Sequence, residues 1–290
     1  MALLQPGQRT SRWRDPVYKA GHEVLTAWDR LRYRRAFDGV ERFCLFAGYA
    51  RSGHSVVGAV LDAHREAVIA HELEVTSLVL SGMGRDELYA RIIARSQWFR
   101  WYKRNASNYD YRIPGQWQGR FRRLRVIGDK RGGTVAQTLA RHPDFFDRLR
   151  ATTGVPLHVI HVVRNPWDNI AAMSIWHEIA LEEAIDYYFS HHDSTARLTA
   201  LCGEGRVLTV HHEAFVTDSE VVIGRLCAFL DLECYPGYLE ACRGRVFPRP
   251  TFTRLKVRWT PALVKRVEER ARPYDFLREY RYEIAEPVGV

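Results

Sequence analysis

Cysteine is scarce in this chain, and no two cysteines have the spacing of a metal-binding or redox motif. The 290 residues include five cysteines, an odd number without a C-x-x-C pair. Cys44 and Cys227 lie in apolar runs that are typical of a buried core. The pattern does not indicate a disulfide framework or a C-x-x-C site, and it favours reduced thiols in a cytoplasmic protein.

Long apolar stretches are also missing. No run approaches the roughly 18 apolar residues that a membrane-spanning helix needs, and the N-terminus is polar and arginine-rich, unlike a signal peptide. The chain has no Pro/Gly/Ser-rich linker and no internal repeat, while 46% of its residues are hydrophobic. We therefore expect one domain over residues 1–290, with a helical extension at residues 1–40 and a loop and helix at residues 249–290.

Lysine is also scarce, so arginine carries nearly all of the net charge of +9. This charge favours an anionic partner, but it does not distinguish nucleic acid, a membrane surface and a small phosphate compound. An arginine bias can also reflect genomic base composition. The charge therefore predicts no function by itself.

The apolar runs of the chain alternate with helical patterns. Five runs rich in branched residues predict buried parallel strands: Cys44–Ala47, Ala67–Ala70, Leu124–Ile127, Leu157–Val163 and Val207–Val210. The predicted helices are Glu87–Arg104, Thr134–Leu139, Trp167–His177, Glu182–Leu201, Glu220–Leu230 and Pro261–Arg272. We expect an α/β fold, a doubly wound sheet of about five parallel strands with helices on both faces. Ligands bind beyond the carboxyl ends of the strands in such sheets.

The first predicted strand runs into the loop GYARSGHS at residues 48–55, which has the two glycines and the terminal hydroxyl of a Walker A loop. A loop of this kind turns backbone N–H groups and a helix N-terminus toward a phosphate. His54 stands where the Walker A lysine would reach the β- and γ-phosphates of a nucleoside triphosphate. The loop therefore predicts an anion site that suits ATP and GTP poorly, with Arg51 supplying charge at a different position.

Charged side chains also follow the other predicted strands. The second strand ends in His71-Glu72, the third in Asp129-Lys130, and the fourth is followed by Arg164. Because the carboxyl ends of parallel strands meet at one edge of the sheet, we expect these groups to converge on the anion loop.

These motifs resemble those of the sulfotransferases that use 3′-phosphoadenosine 5′-phosphosulfate (PAPS). The loop RSGHS at residues 51–55, followed by LDAH at 61–64, resembles their 5′-phosphosulfate loop. The segment HVVRNPWD at 161–168 resembles their 3′-phosphate motif, and IGDK at 127–130 resembles the lysine-bearing strand between the two. The resemblance covers residues 43–174, and more loosely extends to 232. It implies a P-loop NTPase-like fold and an enzyme that transfers a sulfuryl group to an acceptor hydroxyl or amine.

The resemblance also implies a donor site. Contacts to the 5′-phosphate are implied for Arg51, Ser52, Gly53, His54 and Ser55. His54 is expected to contribute mainly its amide. Arg164 would bind the ribose 3′-phosphate, for which bidentate arginine geometry is suited. The family uses no metal ion, since the sulfuryl group carries less negative charge than a γ-phosphoryl group.

A base must take the acceptor's proton, and three side chains are candidates. Glu72 stands where the branch that sulfates tyrosine and sugars has a catalytic glutamate, and we favour it over His71 and Glu74. Strand alternation would place Glu72 and Glu74 on one face and His71 on the other. Lys130 matches the family's lysine that stabilises charge on the departing nucleotide.

The chain departs from the family pattern at two places. Relatives usually have serine or threonine eight residues after the 3′-phosphate arginine, but that position is Ala172 and the nearest hydroxyl is Ser174. Ser174 is therefore our candidate for this contact, although the two positions differ by about 200° around a helix. The pair His211-His212 lies where relatives usually have tyrosine before a glutamate. No third ligand at suitable spacing supports a metal site there.

Two flanking segments are further candidates. The basic segment at residues 249–259 resembles a loop that closes over the nucleotide in related enzymes. In it, Arg254 and Lys256 are candidate 3′-phosphate contacts or part of a solvated charge run. Residues 105–118, rich in Asn, Tyr and Trp, are our candidate for the acceptor wall, where aromatic faces would suit a sugar or a phenol.

Two other functions stay open at this point. An atypical P-loop kinase or phosphotransferase would need a magnesium-binding aspartate, for which Asp129 is the candidate. A non-enzymatic nucleic-acid binder would use the basic aromatic segments 98–104 and 116–123, the first of which also suits a half-buried helix. The acceptor can be a small-molecule, carbohydrate, lipid or tyrosyl hydroxyl, and neither its identity nor the oligomeric state can be predicted from these residues.

Overall fold

The central sheet has five strands, all parallel, and each overlaps one of the predicted apolar runs. The structure is a computed structural model that describes residues 16–102, 105–106, 109–190, 192–246 and 249–283. The strands are, in chain order, β1 (Arg42–Gly48), β2 (Ala67–His71), β3 (Asn105–Ala106), β4 (Tyr109–Asp110), β5 (Val126–Lys130), β6 (Leu157–Val163) and β7 (Val207–His211). The short strands β3 and β4 pair with each other, antiparallel, outside the main sheet.

The strand order of the main sheet places its switch point at β1. The order is β2-β5-β1-β6-β7, so β1 is central, with Leu45 opposite Asp129 of β5 and Ala47 opposite His161 of β6. The chain builds one half of the sheet beside β1 and then crosses over to build the other half. Sheets of this type bind ligands at the carboxyl ends of the strands where the winding reverses, which here is the end of β1 at Gly48.

Helices connect the strands. They are α1 (Pro16–Arg32), α2 (Arg34–Phe37), α3 (His54–Asp62), α4 (Val75–Leu80), α5 (Arg85–Tyr102), α6 (Gly132–Arg141), α7 (Phe145–Thr153), α8 (Pro166–His177), α9 (Leu181–Phe189), α10 (His192–Ala196), α11 (Leu198–Cys202), α12 (His212–Thr217), α13 (Ser219–Phe229), α14 (Pro236–Arg243) and α15 (Pro261–Ala271). Two 3₁₀ turns, Thr253–Lys256 and Asp275–Leu277, lie near the C-terminus. None of the described helices combines the length and the hydropathy that a membrane span requires.

Both faces of the sheet are covered. Side chains of β1 alternate, so that Phe43 and Leu45 join one core cluster while Cys44 and Phe46 join another. The first cluster includes buried residues of α4, α5, α6 and α7, and the second includes those of α3, α13 and α14. The prediction of a doubly wound α/β sheet is therefore confirmed.

Two local predictions were wrong. The third strand was expected at Leu124–Ile127, but β5 is Val126–Lys130. The strand can end in the charged residues Asp129 and Lys130 because partners elsewhere in the chain pair with both when they are buried. The helix expected at Glu182–Leu201 is interrupted, giving α9, α10 and α11. Helix α9 ends at Phe189, where Oγ of Ser190 donates to the carbonyl oxygen of Tyr187, a local bond that competes with the helix.

The terminal segments flank the sheet. Helices α1 and α2 precede β1, with Thr26 and Asp29 of α1 buried. The segment after α14 contains the two 3₁₀ turns and α15. Residues 1–15 and 284–290 of the predicted terminal extensions lie outside the described residues, and the division into a single domain with two extensions stays a prediction.

Candidate active site

The loop after β1 forms an open helix N-terminus. Arg51 and Gly53 have left-handed φ angles of 69° and 97°, and α3 begins directly after Gly53. The first amides of a helix have no partner within the helix, and Gly53, as the residue before α3, has no side chain with which to cap them. Such amides favour an anion, assisted by the helix dipole.

Gly53 also makes room for a neighbouring side chain. A Cβ atom at this position would lie 2.3 Å from Nδ1 of His212, the first residue of α12. Burial and the nearby charge of Arg164 lower the pKa of His212 to about 4, so its imidazole is neutral at neutral pH. The second residue of the predicted histidine pair therefore packs on the anion loop as a neutral group.

His54 supplies no positive charge to the loop. It is 8% exposed, and its Nδ1 lies 3.2 Å from Oγ of the buried Ser52. Burial and the neighbouring charge of Lys130 lower the pKa of His54 to about 3. The imidazole is therefore neutral at neutral pH, and the contribution of the His54 amide to donor binding stays a prediction.

Lys130 of β5 brings an ammonium group to the place where the loop lacks one. The side chain is 1% exposed, and Nζ lies 2.9 Å from Oγ of Ser55. A Cβ atom at Gly58 of α3 would lie 2.7 Å from Cγ of Lys130, so the glycine clears the path of the lysine below the helix. Burial lowers the pKa of Lys130, and the charge of Glu72 opposes this effect. A cation thus reaches the anion loop from a different strand.

Glu72 and His71 both face this ammonium group. Nζ of Lys130 donates to Oε1 of Glu72 at 2.9 Å and lies 3.3 Å from Nε2 of His71. Burial raises the pKa of Glu72, but the charge and hydrogen bond of Lys130 outweigh it, and the net pKa lies well below its ordinary value. The Glu72 side chain is 42% exposed, so an ionised carboxylate that solutes can reach lies beside the lysine.

The expected alternation of these residues was wrong. Strand β2 ends at His71, and Glu72 and Glu74 have left-handed φ angles of 58° and 67°, which end the alternation of side chains. His71 and Glu72 therefore meet at the same ammonium group. Glu74 instead pairs with Nη2 of Arg131 at 2.6 Å. Burial and the charge of Lys130 keep the pKa of His71 well below its ordinary value, so this imidazole is neutral.

Arg164 lies on the other side of the anion loop. Its guanidinium donates to the carbonyl oxygens of Arg51 (3.1 Å) and Thr251 (2.7 Å) and to Oγ1 of Thr253 (2.8 Å). The side chain is 8% exposed, and burial lowers its pKa, while the nearby charges of Asp168 and Glu213 oppose this effect. The acceptors in hydrogen-bond contact with the guanidinium are two backbone carbonyls and a hydroxyl, all neutral groups. A buried guanidinium whose direct partners are neutral is suited to binding an anion.

The segment after α14 closes over Arg164, and its two predicted cations differ. Arg254 is buried, with its backbone amide 2.8 Å from Oδ1 of Asp168 and its guanidinium 3.4 Å from Oδ2. It also donates to the carbonyl of Arg281. A solvated charge run was therefore the wrong interpretation for Arg254, whereas Lys256 is exposed.

Ser174 uses its hydroxyl at the end of α8. Its Oγ donates to the carbonyl oxygen of Ile179 at 2.6 Å, while Ala172 is buried in the same helix. The hydroxyl is thus used within the C-terminal turn of the helix, and its role as a 3′-phosphate contact stays a prediction.

Glu213 is a residue whose role the sequence did not reveal. Its Oε1 accepts from the amide of Asn165 at 2.9 Å, directly after Arg164, and its Oε2 accepts from Tyr280 at 2.7 Å. The Tyr280 hydroxyl also lies 3.0 Å from Nδ1 of His211. The carboxylate that follows β7 thus ties the Arg164 segment to the C-terminal chain. Its position at a strand exit was the available signal.

Asp129 and most of the first basic aromatic segment, which the two rival functions would use, are engaged in the fold, whereas Arg120, Arg122 and Arg123 of the second segment are exposed. Both oxygens of Asp129 accept backbone amides, from Leu73 at 3.0 Å and from Val75 at 3.1 Å. The first basic aromatic segment belongs largely to α5, where Phe99 is buried; Lys103 and Arg104 lie outside the described residues. In the described parts of the chain, no group of three His, Cys, Asp or Glu side chains is arranged to hold a metal ion.

Comparison with known proteins agrees with the motifs. The sulfotransferase family model matches residues 45–236, more than half of the chain. No curated protein sequence matches significantly. Similar solved structures include sulfotransferase STF9 from Mycobacterium avium (12% identity, 87% of this chain and 81% of that chain, TM-score 0.49). The sulfotransferase domain of the Synechococcus PCC 7002 olefin synthase has 16% identity, with 79% of this chain and 88% of that chain covered and a TM-score of 0.46. Mouse SULT7A1 complexed with PAP, adenosine 3′,5′-bisphosphate, has 13% identity, with 86% of this chain and 90% of that chain covered and a TM-score of 0.45. Because the family model spans most of the sheet and both anion motifs, the chain is an enzyme that belongs to the sulfotransferase family.

Proposed function

We propose that this enzyme transfers the sulfuryl group of PAPS to an acceptor hydroxyl, with Glu72 as the general base and Lys130 stabilising the leaving group. The position of Lys130 Nζ carries the proposal, because it lies 2.9 Å from Ser55 of the anion loop and 2.9 Å from Glu72. One ammonium group therefore joins the loop to an ionised carboxylate. A donor held by the loop and a hydroxyl beside Glu72 would meet at Lys130.

The donor side of the proposal rests on two anion sites. The open amides at the start of α3, with the Arg51 side chain, would hold the 5′-phosphate. Arg51 is exposed, and its guanidinium lies over the exposed ring of Trp176, 4.7 Å from the ring centre. Arg164, buried with neutral groups as its direct hydrogen-bond partners, would hold the 3′-phosphate. The 3′-phosphate distinguishes PAPS from ATP, which has no phosphate at that position. No step requires a metal ion.

The reaction needs one proton acceptor and one group that stabilises developing charge. The sulfur–oxygen bond to the donor phosphate breaks as a sulfur–oxygen bond to the acceptor forms, and the acceptor proton passes to the Glu72 carboxylate. Negative charge grows on the departing phosphate, where Lys130 is placed to stabilise it. When Lys130 donates hydrogen bonds to that phosphate, its ammonium group stabilises the Glu72 carboxylate less, and the pKa of Glu72 rises. Glu72 thereby becomes a stronger base at the stage when it is needed.

Aromatic side chains around His71, the neighbour of Glu72, support a ring-bearing acceptor. The His71 ring stacks on Phe99 with 3.8 Å between ring centres, and Tyr111 lies 5.8 Å from His71. Tyr109 lies 4.7 Å from Tyr111. These tyrosines belong to the segment predicted as the acceptor wall, of which residues 107–108 lie outside the described chain. Flat apolar faces of this kind suit a phenol, a tyrosyl residue or a sugar.

Incubation of the purified chain with labelled PAPS and a panel of phenols, tyrosyl peptides, sugars and aliphatic alcohols tests the function. We expect label transfer to a ring hydroxyl, unaffected by a magnesium chelator. Transfer from ATP that depends on magnesium, or the absence of transfer to every acceptor together with the absence of PAP formation, would contradict the proposal.

A further inference from the structure

The turn that carries Glu72 has an unusual backbone. It joins β2 to α4, and both of its glutamates, Glu72 and Glu74, have left-handed φ angles. Residues other than glycine persist in this conformation only where the surrounding structure holds them there, and such residues cluster at functional sites. The groups that hold this turn are therefore of interest for the position of the Glu72 carboxylate.

One side of the turn is held by β5. The Asp129 carboxylate accepts the amides of Leu73 and Val75, and the carbonyl of Lys130 accepts the amide of Glu72 at 3.2 Å. The amides of the turn are thus fixed to the same strand that carries the lysine. This leaves the carbonyl side of the turn to another element.

Arg95 of α5 holds that carbonyl side. Its Nε donates to the carbonyl oxygen of His71 at 2.7 Å, and its Nη2 donates to that of Glu72 at 3.3 Å. Arg95 is 1% exposed and follows the buried residues 92–94. Burial of a guanidinium is costly unless hydrogen-bond acceptors meet it. The fork geometry of arginine allows one side chain to reach two successive carbonyls.

We propose that Arg95 is a positioning residue, which fixes the His71 and Glu72 peptide groups so that the Glu72 carboxylate meets Lys130. The inference rests on the proposed role of Glu72 as the base. In the hydrogen bonds described above, Arg95 meets the backbone carbonyls of His71 and Glu72 and not the Glu72 carboxylate. Because the proposed donor contacts belong to the anion loop and Arg164, and the turn meets the loop through Lys130, Arg95 acts on turnover much more than on donor binding.

Two substitutions remove the fork geometry of Arg95, one with its charge kept and one with its charge lost. Arg95→Lys keeps the charge but cannot span both carbonyls, and Arg95→Gln removes the charge while keeping a donor. We expect both to lower kcat by about 10- to 100-fold, the range that a misplacement of about 1 Å can cause. The KM for PAPS and the Kd for adenosine 3′,5′-bisphosphate (PAP) should stay within about twofold of wild type. Thermal stabilisation by PAP shows that each variant is folded.

The matched control is Arg91→Lys, one helical turn earlier on α5. Arg91 pairs at the surface with Glu23 at 2.8 Å and with Glu87 at 3.1 Å. Neither of these ion pairs involves the Glu72 turn or the anion loop, so kcat and PAP affinity should both stay at wild-type values.

A double-mutant cycle tests whether Arg95 acts through Glu72. In a Glu72→Gln background, Arg95→Lys should cause no further fall in kcat, because the group it positions is already lost. An equal fall in both backgrounds, or a parallel loss of PAP affinity, would overturn the proposal in favour of a general structural role. A fall in Glu72→Gln with unchanged kcat in Arg95→Lys would remove only the positioning role. Unchanged kcat in Glu72→Gln would remove the base assignment itself.

Discussion

The substitution Glu72→Gln tests the base most sharply, because it removes the carboxylate's charge and keeps its shape. In wild type, Oε1 of Glu72 lies 2.9 Å from Lys130 Nζ, and a glutamine oxygen at the same place still accepts that hydrogen bond. The donor contacts proposed at Arg51 and Arg164 are untouched. General-base catalysis contributes about 10²- to 10⁴-fold, so we expect kcat to fall by that factor while PAP affinity is retained.

The same substitution should cost little stability. Lys130 is 1% exposed and Glu72 is 42% exposed. The pair therefore lies between a surface ion pair, worth up to about 1 kcal/mol, and a fully buried pair, whose disruption costs about 3–5 kcal/mol. Because the hydrogen bond to the glutamine oxygen remains, we expect a loss of about 1 kcal/mol in the free energy of unfolding.

The assay is single-turnover transfer from labelled PAPS to the best acceptor of the panel, with PAP binding measured on the same preparation. Glu74→Gln is the control, because Glu74 belongs to the same turn but pairs with Arg131. Turnover of Glu72→Gln equal to that of wild type would refute the assignment of the base. A large loss confined to Glu74→Gln would move the assignment to Glu74.

Three further outcomes follow from other parts of the site. Lys130→Ala should lower kcat by about 10²- to 10³-fold and reduce donor affinity much less; equal losses in transfer assays and calorimetry would indicate a plain binding contact. Arg164→Lys should weaken PAP binding in calorimetry by about tenfold or more and leave adenosine 5′-monophosphate binding unchanged, because it loses a bidentate contact to the 3′-phosphate; an equal loss for both nucleotides would argue against that contact. Burial raises the pKa of Asp62 from 3.8 to about 7, so the folded state holds a proton that the unfolded state lacks, and stability falls as pH rises through this window. The melting temperature of Asp62→Asn should therefore fall less than that of wild type between about pH 5 and about pH 8, and identical pH profiles would show that Asp62 is not the titrating group.

The sheet could be predicted from the sequence because the signals for its strands lie in short, continuous segments. Each buried strand is an apolar run, and the loop at residues 48–55 contains the glycines of an anion site within eight positions. The ends of strands were less predictable. β5 extends to Asp129 and Lys130, charged residues that a search for apolar runs leaves out, and their burial depends on partners elsewhere in the chain.

The geometry around Glu72 could not be predicted from its own neighbours. Its left-handed backbone is held by Arg95, 23 positions later, and by Asp129, which binds the next amide of the turn from β5. A pattern with a period of two residues assumes that the strand continues, whereas β2 ends at His71. The available signal was Arg95 itself, an arginine directly after Ile92-Ile93-Ala94 in a helix.

Titration calorimetry with PAP and with adenosine 5′-monophosphate tests the central claim most directly, because the account requires two anion sites at a fixed separation on one nucleotide. Wild-type protein should bind PAP without added metal ion, and at least about tenfold more tightly than the monophosphate, since only PAP reaches Arg164. Equal affinity for the two nucleotides, or no binding of PAP, would contradict the account.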